Sequence, residues 1–465
     1  MKKITKILIC LMLCVFGFGL VACGDPRTEK EKNFTYPLGG DIIGNGGLSV
    51  RKGDYVYFVN GYKSIESATS KDETFTVGSL MLMKLDSNGQ VVTNDEGLVQ
   101  DDYYITMSNK LCGYEATNLF VWGDYLYFAT PSLENESGDK VWAKERVVIN
   151  RIKLDKSSEV EEVYSSGVKV ENFKYQYYVN NGQLYILAWE KGASYYEENG
   201  TDALIRVDVA SKSSSVVETN VQDVVFADNF NEIFFVKHTN EDKYYFLKQY
   251  DVASNATINY YADNKTFDII DVQAGKVFIT KAHEYGSSTD VLSSTISSKS
   301  GFEMLYAYLT ADSVYITSTG NVVLVASNVI TIVKDVDDTK IITDEKATAI
   351  NIIDDTNGCV LYYDKNDEGS SIKLVSYSDA LADKNVEIQT LTTILAVQED
   401  CAYFDLNKEE NMLYFYTIDG KNETSNYLHR LQVNYNIEAE DEMFGVYASD
   451  DVPEVEEENE DVEEE

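Results

Sequence analysis

The residues best suited to chemistry in this chain are large aromatic side chains in stretches that lack a regular apolar pattern. Four such stretches follow strand-like segments at corresponding places, at 61–79, 130–146, 190–202 and 281–301. They carry Tyr62, Trp142, Tyr195, Tyr196, His283 and Tyr285. Aromatic rings on rigidly mounted loops suit stacking on sugar rings or filling protein pockets, so these six residues are the candidate ligand-binding set. The alternative is that each ring only packs against its own loop.

Catalytic motifs are scarce. His238, His283 and His429 lie far apart and form no H-x-x-x-H or H-E-x-x-H spacing, and no G-x-S-x-G nucleophile motif is present. Acidic residues total 78, so many carboxylate pairs arise by chance. A pair inside a channel could hydrolyse a glycosidic bond. The sequence therefore predicts no catalytic residues and favours a non-catalytic protein, with a glycan-cleaving enzyme as the alternative.

Metal-binding patterns are equally weak. Residues 364–369 (DKNDEG) have oxygen-bearing side chains at the spacing of a calcium-binding loop, but position twelve is Val375 rather than glutamate. A solvated hairpin turn is the simpler interpretation. The cysteines beyond the N-terminal region show no C-x-x-C spacing, and they are Cys112, Cys359 and Cys401. We predict no metal site and no cofactor.

The balance of charge excludes one class of partner. The chain holds 39 Lys and Arg residues against 78 Asp and Glu residues, which gives a formal net charge of -39. A protein that binds duplex DNA needs a basic footprint, so nucleic acid is not an expected partner. Residues 448–465 are mostly acidic and offer almost nothing apolar to bury, which predicts an acidic, disordered tail.

The N-terminal residues have the pattern of a targeting signal. Three lysines precede an apolar run at 7–20 that is short for a membrane span, as in a secretory signal peptide. The run ends in LVAC at 20–23, which resembles the lipobox of bacterial lipoprotein signal peptides. The resemblance implies removal of residues 1–22, diacylation of Cys23 and a polar tether at 23–33. We therefore expect membrane lipid to hold the protein through Cys23 on the outer side of a bacterial cell membrane. A plain signal peptide with a chance cysteine is the alternative.

The rest of the chain is predicted to be a tandem array of β-strands. Short runs rich in Val, Ile, Tyr and Phe recur between Gly, Asn and Asp, and helical periodicity is almost absent after residue 34. A turn followed by a strand that usually carries an aromatic residue recurs eight times. The copies are GDYVYFVN (53–60), GDYLYFAT (123–130), GQLYILAW (182–189), NEIFFVKH (231–238), GKVFITKA (275–282), GNVVLVAS (320–327), GCVLYYDK (358–365) and NMLYFYTI (411–418).

The neighbours of each copy complete a repeating unit. One strand precedes the turn, and two more follow the aromatic strand. Four antiparallel strands per unit predict an all-β fold, a β-propeller of eight four-stranded blades over 34–447. Seven blades is the alternative, because residues 276–343 are irregular and can be divided differently.

These units resemble the YWTD-like propellers of the low-density-lipoprotein-receptor type, which occur in many bacterial lipoproteins of unknown function. The likeness is carried by G-D-x-[VLI]-Y-F at 53–58 and 123–128, and by L-x-[KR]-[LIV]-D strands such as LMLMKLD at 80–86. It covers most of 34–447 and weakens in the fifth to seventh units. The resemblance implies a propeller fold and no particular activity.

Together these patterns predict a membrane-anchored extracytoplasmic lipoprotein whose propeller is a non-catalytic binding or scaffold module for envelope protein or glycan. Turns of a propeller alternate between two faces, so the four long stretches share one face and the tight turns lie on the other. The glycan-cleaving alternative would use carboxylates of the central channel. The sequence makes no prediction of the oligomeric state.

Overall fold

The computed structural model describes most of the chain between residues 36 and 448. The described residues are 36–40, 42–44, 47, 49–66, 74–89, 104–113, 119–136, 139–193, 201–226, 232–239, 241, 243–283, 288–297, 301–309, 311–335, 338–343, 349–354, 357–366, 369–394, 399–407, 411–419, 425–433 and 441–448. The predicted signal peptide, Cys23, the tether and the acidic tail after Ala448 lie outside them. Among the described residues, no helix is long and apolar enough to cross a membrane.

The described strands form eight antiparallel sheets of four strands each, in chain order. Sheet 1 contains β1 (Ser49–Lys52), β2 (Tyr55–Glu66), β3 (Thr74–Lys84) and β4 (Tyr104–Gly113), and sheet 2 contains β5 (Phe120–Trp122), β6 (Tyr125–Glu136), β7 (Asp139–Lys153) and β8 (Glu161–Ser165). Sheet 3 contains β9 (Phe173–Asn180), β10 (Gln183–Ala193), β11 (Thr201–Asp208) and β12 (Ser213–Thr219), and sheet 4 contains β13 (Val221–Phe226), β14 (Glu232–Lys237), β15 (Tyr245–Asp251) and β16 (Ala256–Asp263). Sheet 5 contains β17 (Phe267–Gln273), β18 (Lys276–Ala282), β19 (Thr289–Thr295) and β20 (Glu303–Leu309), and sheet 6 contains β21 (Ser313–Ile316), β22 (Val322–Ala326), β23 (Val329–Asp335) and β24 (Asp338–Thr343). Sheet 7 contains β25 (Ala349–Asp354), β26 (Cys359–Asn366), β27 (Gly369–Ser376) and β28 (Ile388–Ile394), and sheet 8 contains β29 (Glu399–Asn407), β30 (Met412–Asp419), β31 (Ser425–Gln432) and β32 (Asp441–Ala448). A short 3-10 helix at Val170–Asn172 precedes sheet 3, and helix α1 (Tyr377–Leu381) follows β27.

The first strands of the sheets lie at the centre of the molecule. β13 contacts β17, β17 contacts β21, and β25 contacts β29, so first strands of neighbouring sheets meet. The fourth strands β12 and β16 are largely exposed. Sheets arranged in this way surround an axis, with first strands inside and fourth strands at the rim. The prediction of an all-β propeller is confirmed.

The first and last sheets also contact each other. β2 contacts β31 and β32, and Met412 and Tyr414 of sheet 8 pack in one apolar cluster with Tyr57 of sheet 1. Nη1 of buried Arg430 donates to the carbonyl oxygen of Gly89 at 3.0 Å. Each sheet is one contiguous stretch of chain, so side-chain contacts rather than an exchanged strand hold this seam.

A turn requirement explains the repeated Gly-Asp. Lys52 pairs with Tyr55, so the turn between β1 and β2 has only two residues. Its first residue, Gly53, has a φ of 61°, which glycine adopts without a steric penalty. Gly123 occupies the equivalent place in sheet 2 with a φ of 59°. Two-residue turns with this backbone match the right-handed twist of the strands that they join.

The aspartates that end the third strands also have a structural role. In sheets 1 to 4 this aspartate accepts a hydrogen bond on Oδ1 from the backbone N–H two residues further on, which closes the turn toward the fourth strand. Asp86, Asp155, Asp208 and Asp251 do so at 2.8, 2.9, 2.9 and 3.0 Å. The aspartate of the repeated strand pattern therefore marks the end of a strand.

Two of the long stretches are strands rather than loops. β2 and β3 stay paired out to Glu66 and Thr74, and β6 and β7 stay paired out to Glu136 and Asp139. The prediction of loops at 61–79 and 130–146 is therefore wrong, because paired strands, with β4 alongside β3 as far as Val77, occupy most of these residues. The sequences of these segments, the ribbons of sheets 1 and 2, lack the apolar alternation by which a strand is recognised, so they resemble loops.

The stretch at 281–301 is also divided differently from the prediction. Residues Thr289–Thr295 form β19, and a single loop over this range is wrong. The strand was hard to recognise because its buried residues include Asp290, Ser293 and Ser294. Hydrogen bonds satisfy such groups, as between the hydroxyls of Ser294 and Tyr260 at 3.0 Å.

Candidate functional site

The propeller has two unlike faces. The turn face carries the connections from first to second strand and from third to fourth strand, including the turns at Gly53 and Gly123. The hairpin face is the opposite side, where second strands join third strands and where the ribbons of sheets 1 and 2 end. The ribbons extend the hairpin face, and the turn face carries helix α1 and the long connection between Lys84 and Tyr104.

Two of the six candidate residues lie on the ribbons. Tyr62 is on β2, where the pairing with β3 is irregular. Trp142 is on β7, opposite Leu133 of β6. Five residue pairs lie beyond the irregularity after Pro131, so this ribbon reaches about 15 Å past its sheet. Trp142 therefore sits on an arm that stands out from the ring.

Three other candidates lie outside the described residues. Tyr195 and Tyr196 fall within 194–200, and Tyr285 falls within 284–287. The residues on either side of 194–200 are described, and there Ala193 pairs with Thr201 at the end of a hairpin. The ligand-binding role of these three tyrosines stays a prediction.

His283 is held by its own hairpin. Its Nδ1 lies 2.8 and 2.7 Å from the two carboxylate oxygens of Asp290 on β19. The side chains of His283 and Asp290 are only 13% and 9% exposed. This contact fixes the imidazole at the hairpin face, and a ligand-binding role for His283 stays a prediction.

The other histidines pack on aromatic rings. His238 stacks on Tyr245 with ring centroids 3.8 Å apart, and His429 stacks on Phe415 at 4.8 Å. In the part of the chain that the structure describes, no group of three or more His, Cys, Asp or Glu residues is arranged to hold a metal ion.

The DKNDEG segment forms a hairpin turn, as the simpler interpretation predicted. Asn366 pairs with Gly369 across the turn. The carboxylate of Asp364 lies 2.8 Å from Nζ of Lys373, and both side chains are largely buried. A carboxylate already paired with a lysine is a poor calcium ligand, because the bound cation would have to displace that charge.

A buried carboxylate at the base of the third hairpin was not predicted. Glu190 is fully buried at the hairpin-face end of β10. Its Oε1 accepts from the hydroxyl of Tyr164 at 2.5 Å, and its Oε2 accepts from the N–H of Gly167 at 3.2 Å. These bonds tie sheet 3 to the segment that leaves sheet 2. A lone glutamate after the apolar run LYILAW was the only sequence signal for it.

Ion pairs link sheets 3, 4 and 5 toward the hairpin face. Glu218 of sheet 3 pairs with Lys237 of sheet 4 at 2.7 Å and also with Lys248. Asp263 of sheet 4 pairs with Lys281 of sheet 5. Burial opposes ionisation of Glu218, but the hydrogen bonds and charges of its two lysines outweigh burial and lower its pKa. These pairs fix neighbouring sheets relative to each other beneath the hairpins.

We expect Glu218→Gln to weaken the dependence of stability on pH in the acid range. Folding lowers the pKa of Glu218, so its stabilisation is fully present above the unfolded value of about 4.3 and is lost as the pH falls through the folded value. Urea unfolding at about pH 7 and about pH 3.5 should show a smaller loss of stability in the variant. Glu241→Gln, at an exposed position, is the control and should behave like the unmodified protein. Equal losses in all three proteins would contradict this role of Glu218.

Two carboxylates lie near the axis at the hairpin face. Asp223 and Asp268 are near the starts of the neighbouring first strands β13 and β17. Lys174 of β9 is 3.2 Å from Asp223. Asp268 is exposed as a residue, yet partial burial of its carboxyl group, and then the negative charge of Asp223, raise its pKa. The two carboxyl groups therefore have unlike surroundings, one beside a lysine and one beside a carboxylate.

No protein-family model matches the chain, and no curated protein sequence matches it. Among solved structures, it is similar to the β-propeller domain of the Trilobed protease from Pyrococcus furiosus, with 12% identity over 68% of this chain and 96% of that chain and a TM-score of 0.43. It is similar to TolB from Acinetobacter baumannii, with 10% identity over 81% and 77% of the two chains and a TM-score of 0.31. It is also similar to a prolyl endopeptidase, with 10% identity over 69% of this chain and 48% of that chain and a TM-score of 0.40. The chain spans about half the length of that peptidase, and likeness at this level carries no argument about activity.

Proposed function

We propose that this protein is a membrane-anchored extracytoplasmic lipoprotein whose propeller acts as a non-catalytic binding or scaffold module for envelope protein or glycan. The observation that supports it is the contrast between the two faces. Long paired strands that carry Tyr62 and Trp142 extend the hairpin face, whereas the connections from first to second strands on the turn face include two-residue turns such as the one at Gly53. A paired backbone mounted on a ring of packed sheets loses little conformational entropy on binding.

Trp142→Ala is expected to weaken partner binding by about thirtyfold, since truncation of an aromatic hot spot costs about 2 kcal/mol. The melting temperature should stay nearly unchanged, because Trp142 lies on a ribbon beyond the four-stranded sheet. Retention of detergent-solubilised envelope proteins and of purified cell-wall glycan on the immobilised protein measures the effect.

Val179→Ala is the control, because Val179 is an exposed apolar residue beside the first turn of sheet 3. It should leave binding intact. If Trp142→Ala instead melts several degrees early with normal binding per folded molecule, then Trp142 packs its own ribbon and the hypothesis fails.

A second candidate function is cleavage of glycan by channel carboxylates. It is favoured by Asp223 and Asp268, two carboxylates near the axis at the hairpin face, because burial and then the charge of Asp223 raise the pKa of Asp268. Incubation with cell-wall glycan should then release reducing ends, and Asp268→Asn should abolish the release. Absence of product from the unmodified protein rejects this candidate.

The proposed anchor is a diacylglyceryl group on Cys23, after removal of residues 1–22. The LVAC sequence at 20–23 supports it, and two acyl chains suffice for stable anchoring. Cys23→Ser should abolish labelling by a fatty-acid probe and release the protein into the medium. Unchanged membrane retention of this variant would refute the anchor. The same proposal assigns 23–33 to a polar tether, 34–447 to the propeller and 448–465 to a disordered acidic tail.

We further propose that each of the eight sheets is one blade of a YWTD-like ring. The contacts between sheets 1 and 8 support a ring closed by eight units, and a seven-bladed ring is the alternative. The G-D-x-[VLI]-Y-F segments at 53–58 and 123–128 support the YWTD-like type. A crystal structure viewed along the axis counts the blades directly.

A further inference from the structure

We propose that the turn face of the propeller lies toward the membrane and that the hairpin face is presented away from it. This inference rests on the proposed lipid anchor at Cys23. It states how the anchored propeller is oriented relative to the membrane. The argument uses the faces of the propeller at which the first and last described residues lie.

The N-terminal segment is clamped at the turn face. The N–H of Gly39 donates to Oδ1 of Asp124 at 2.7 Å, and Nζ of Lys52 donates to the carbonyl oxygens of Gly39 and, at 3.1 Å, of Gly123. Lys52 ends β1, while Gly123 and Asp124 form the first turn of sheet 2. Tyr36 stacks on Tyr55, which begins β2 on the same side. The chain before Tyr36 therefore leaves from the turn face.

The next residues run across the ring to the other face. Ile43 and Val121 exchange backbone hydrogen bonds of 2.9 and 2.7 Å, and the N–H of Leu119 donates to the carbonyl oxygen of Gly47 at 3.0 Å. A Cβ on Gly44 would lie 2.8 Å from a ring carbon of Phe120, so this segment packs tightly along β5. It runs antiparallel to β5 and reaches the hairpin face where β1 begins. Two sets of contacts therefore place Tyr36 at the turn face. They are the backbone pairing of Ile43 with Val121 and the hydrogen bonds around Gly39.

The other end of the propeller lies on the hairpin face. Ala448, the last residue of β32, pairs with Ser425, the first residue of β31. Because β31 begins where it is joined to the second strand of its sheet, Ala448 is on the hairpin face. The chain therefore continues toward the 11 acidic residues of 450–465 from the hairpin face, which is opposite the face of the proposed anchor.

The length of the tether argues against the inverted orientation. Twelve residues lie between Cys23 and Tyr36, and the thirteen steps from one Cα atom to the next span at most about 45 Å when fully extended. An eleven-residue strand such as β10 is about 35 Å long, and crossing two or three strand spacings to the rim adds about 10–15 Å. Placing the hairpin face on the membrane would therefore need the whole reach of the tether or more. Placing the turn face there needs almost none of it.

The test uses the protein that begins at Cys23. Its Cys23 thiol is coupled to a maleimide phospholipid in phosphatidylcholine vesicles. Cys112 and Cys401 are replaced by serine. Cys359 is retained, since burial and then the charge of Asp354 raise the pKa of its thiol to about 12 and keep it unreactive. A donor dye is attached by azide chemistry at exposed Ser211 on the turn face or at exposed Lys191 on the hairpin face, both in sheet 3. An acceptor dye on the lipid headgroups reports the distance to the membrane.

Energy transfer from position 211 is expected to be at least about twofold higher than from position 191, given a strand height of about 35 Å. The matched control carries Cys23→Ser and Glu465→Cys, so that it is anchored through its C-terminus. In this control, energy transfer from position 211 should no longer exceed energy transfer from position 191. Equal or reversed transfer in the protein anchored at Cys23 overturns the proposed orientation. Because the anchor is attached chemically, the outcome is independent of whether cells acylate Cys23. Fatty-acid labelling in cells tests that point separately.

Discussion

Replacing Arg430 by alanine should lower the free energy of unfolding by about 2–4 kcal/mol, because the variant loses a hydrogen bond from a charged donor and leaves a cavity at the seam of the ring. Arg430 is 1% exposed on β31, a strand that contacts β2 of the first sheet. Its Nη1 donates to the carbonyl oxygen of Gly89, 341 residues away in sequence. Truncation leaves that carbonyl without this donor and opens a cavity between the first and last sheets.

Urea unfolding followed by circular dichroism measures the effect. Arg146→Ala is the matched control, because Arg146 is an exposed arginine on β7 and its loss should change stability by no more than about 0.5 kcal/mol. Similar stabilities of the two variants would show that Arg430 does not hold the seam.

The second large effect is expected from Phe120→Ala, about 3–5 kcal/mol. Phe120 is 1% exposed and stacks on Tyr177 with ring centroids 4.1 Å apart, which joins the innermost strands of sheets 2 and 3. The N-terminal segment also packs against it through Gly44. Removing the ring therefore leaves a cavity bordered by two sheets and by the segment along β5.

The same unfolding assay tests this prediction with two controls. Phe120→Leu keeps most of the apolar volume and should cost less than the alanine variant, about 1.5 kcal/mol. Tyr244→Ala removes an aromatic ring that is 40% exposed and should change stability by about 0.5 kcal/mol at most. If Phe120→Ala is no less stable than Phe120→Leu, the cavity argument is wrong.

The strand repeat could be predicted from the sequence because its signals are local. In GDYVYFVN the turn is set by Gly53, and the apolar residues that follow are buried between neighbouring sheets. All eight copies of this segment coincide with the start of a second strand in the structure. Local turn chemistry and apolar composition were sufficient for this part of the fold.

The ribbons and β19 could not be recognised in the same way. A strand is identified by alternation between an apolar and a polar face, and a ribbon beyond its sheet has no core to create that alternation. In β19 the buried residues include Asp290, which is engaged by His283 from the adjacent strand. A strand that buries polar groups resembles a loop in sequence until its partners are known.

The contacts that shape the candidate site join residues distant in sequence. The carboxylate of Glu190 meets Tyr164 of another sheet, and Asp223 meets Lys174 in the same manner. Neither pair has a characteristic spacing, because the number of residues between sheets varies along the chain. The hairpin face could therefore be predicted as a location, whereas the polar groups that support it required the structure.

The construction of each sheet from one uninterrupted stretch of chain has an evolutionary consequence. When a propeller closes by sharing a sheet between its two ends, a duplicated or deleted repeat must preserve that shared sheet. In this protein, recombination at a gene position that encodes the link between two sheets would add or remove a whole sheet. Every remaining strand would keep the strands with which it is hydrogen-bonded. A change in copy number would also change the angle between every pair of neighbouring sheets, so side chains at all the junctions, including Arg430 and Tyr57 at the seam, would have to adapt. The backbone hydrogen bonds within each sheet would survive such an event, and the cost would fall on side-chain packing between sheets.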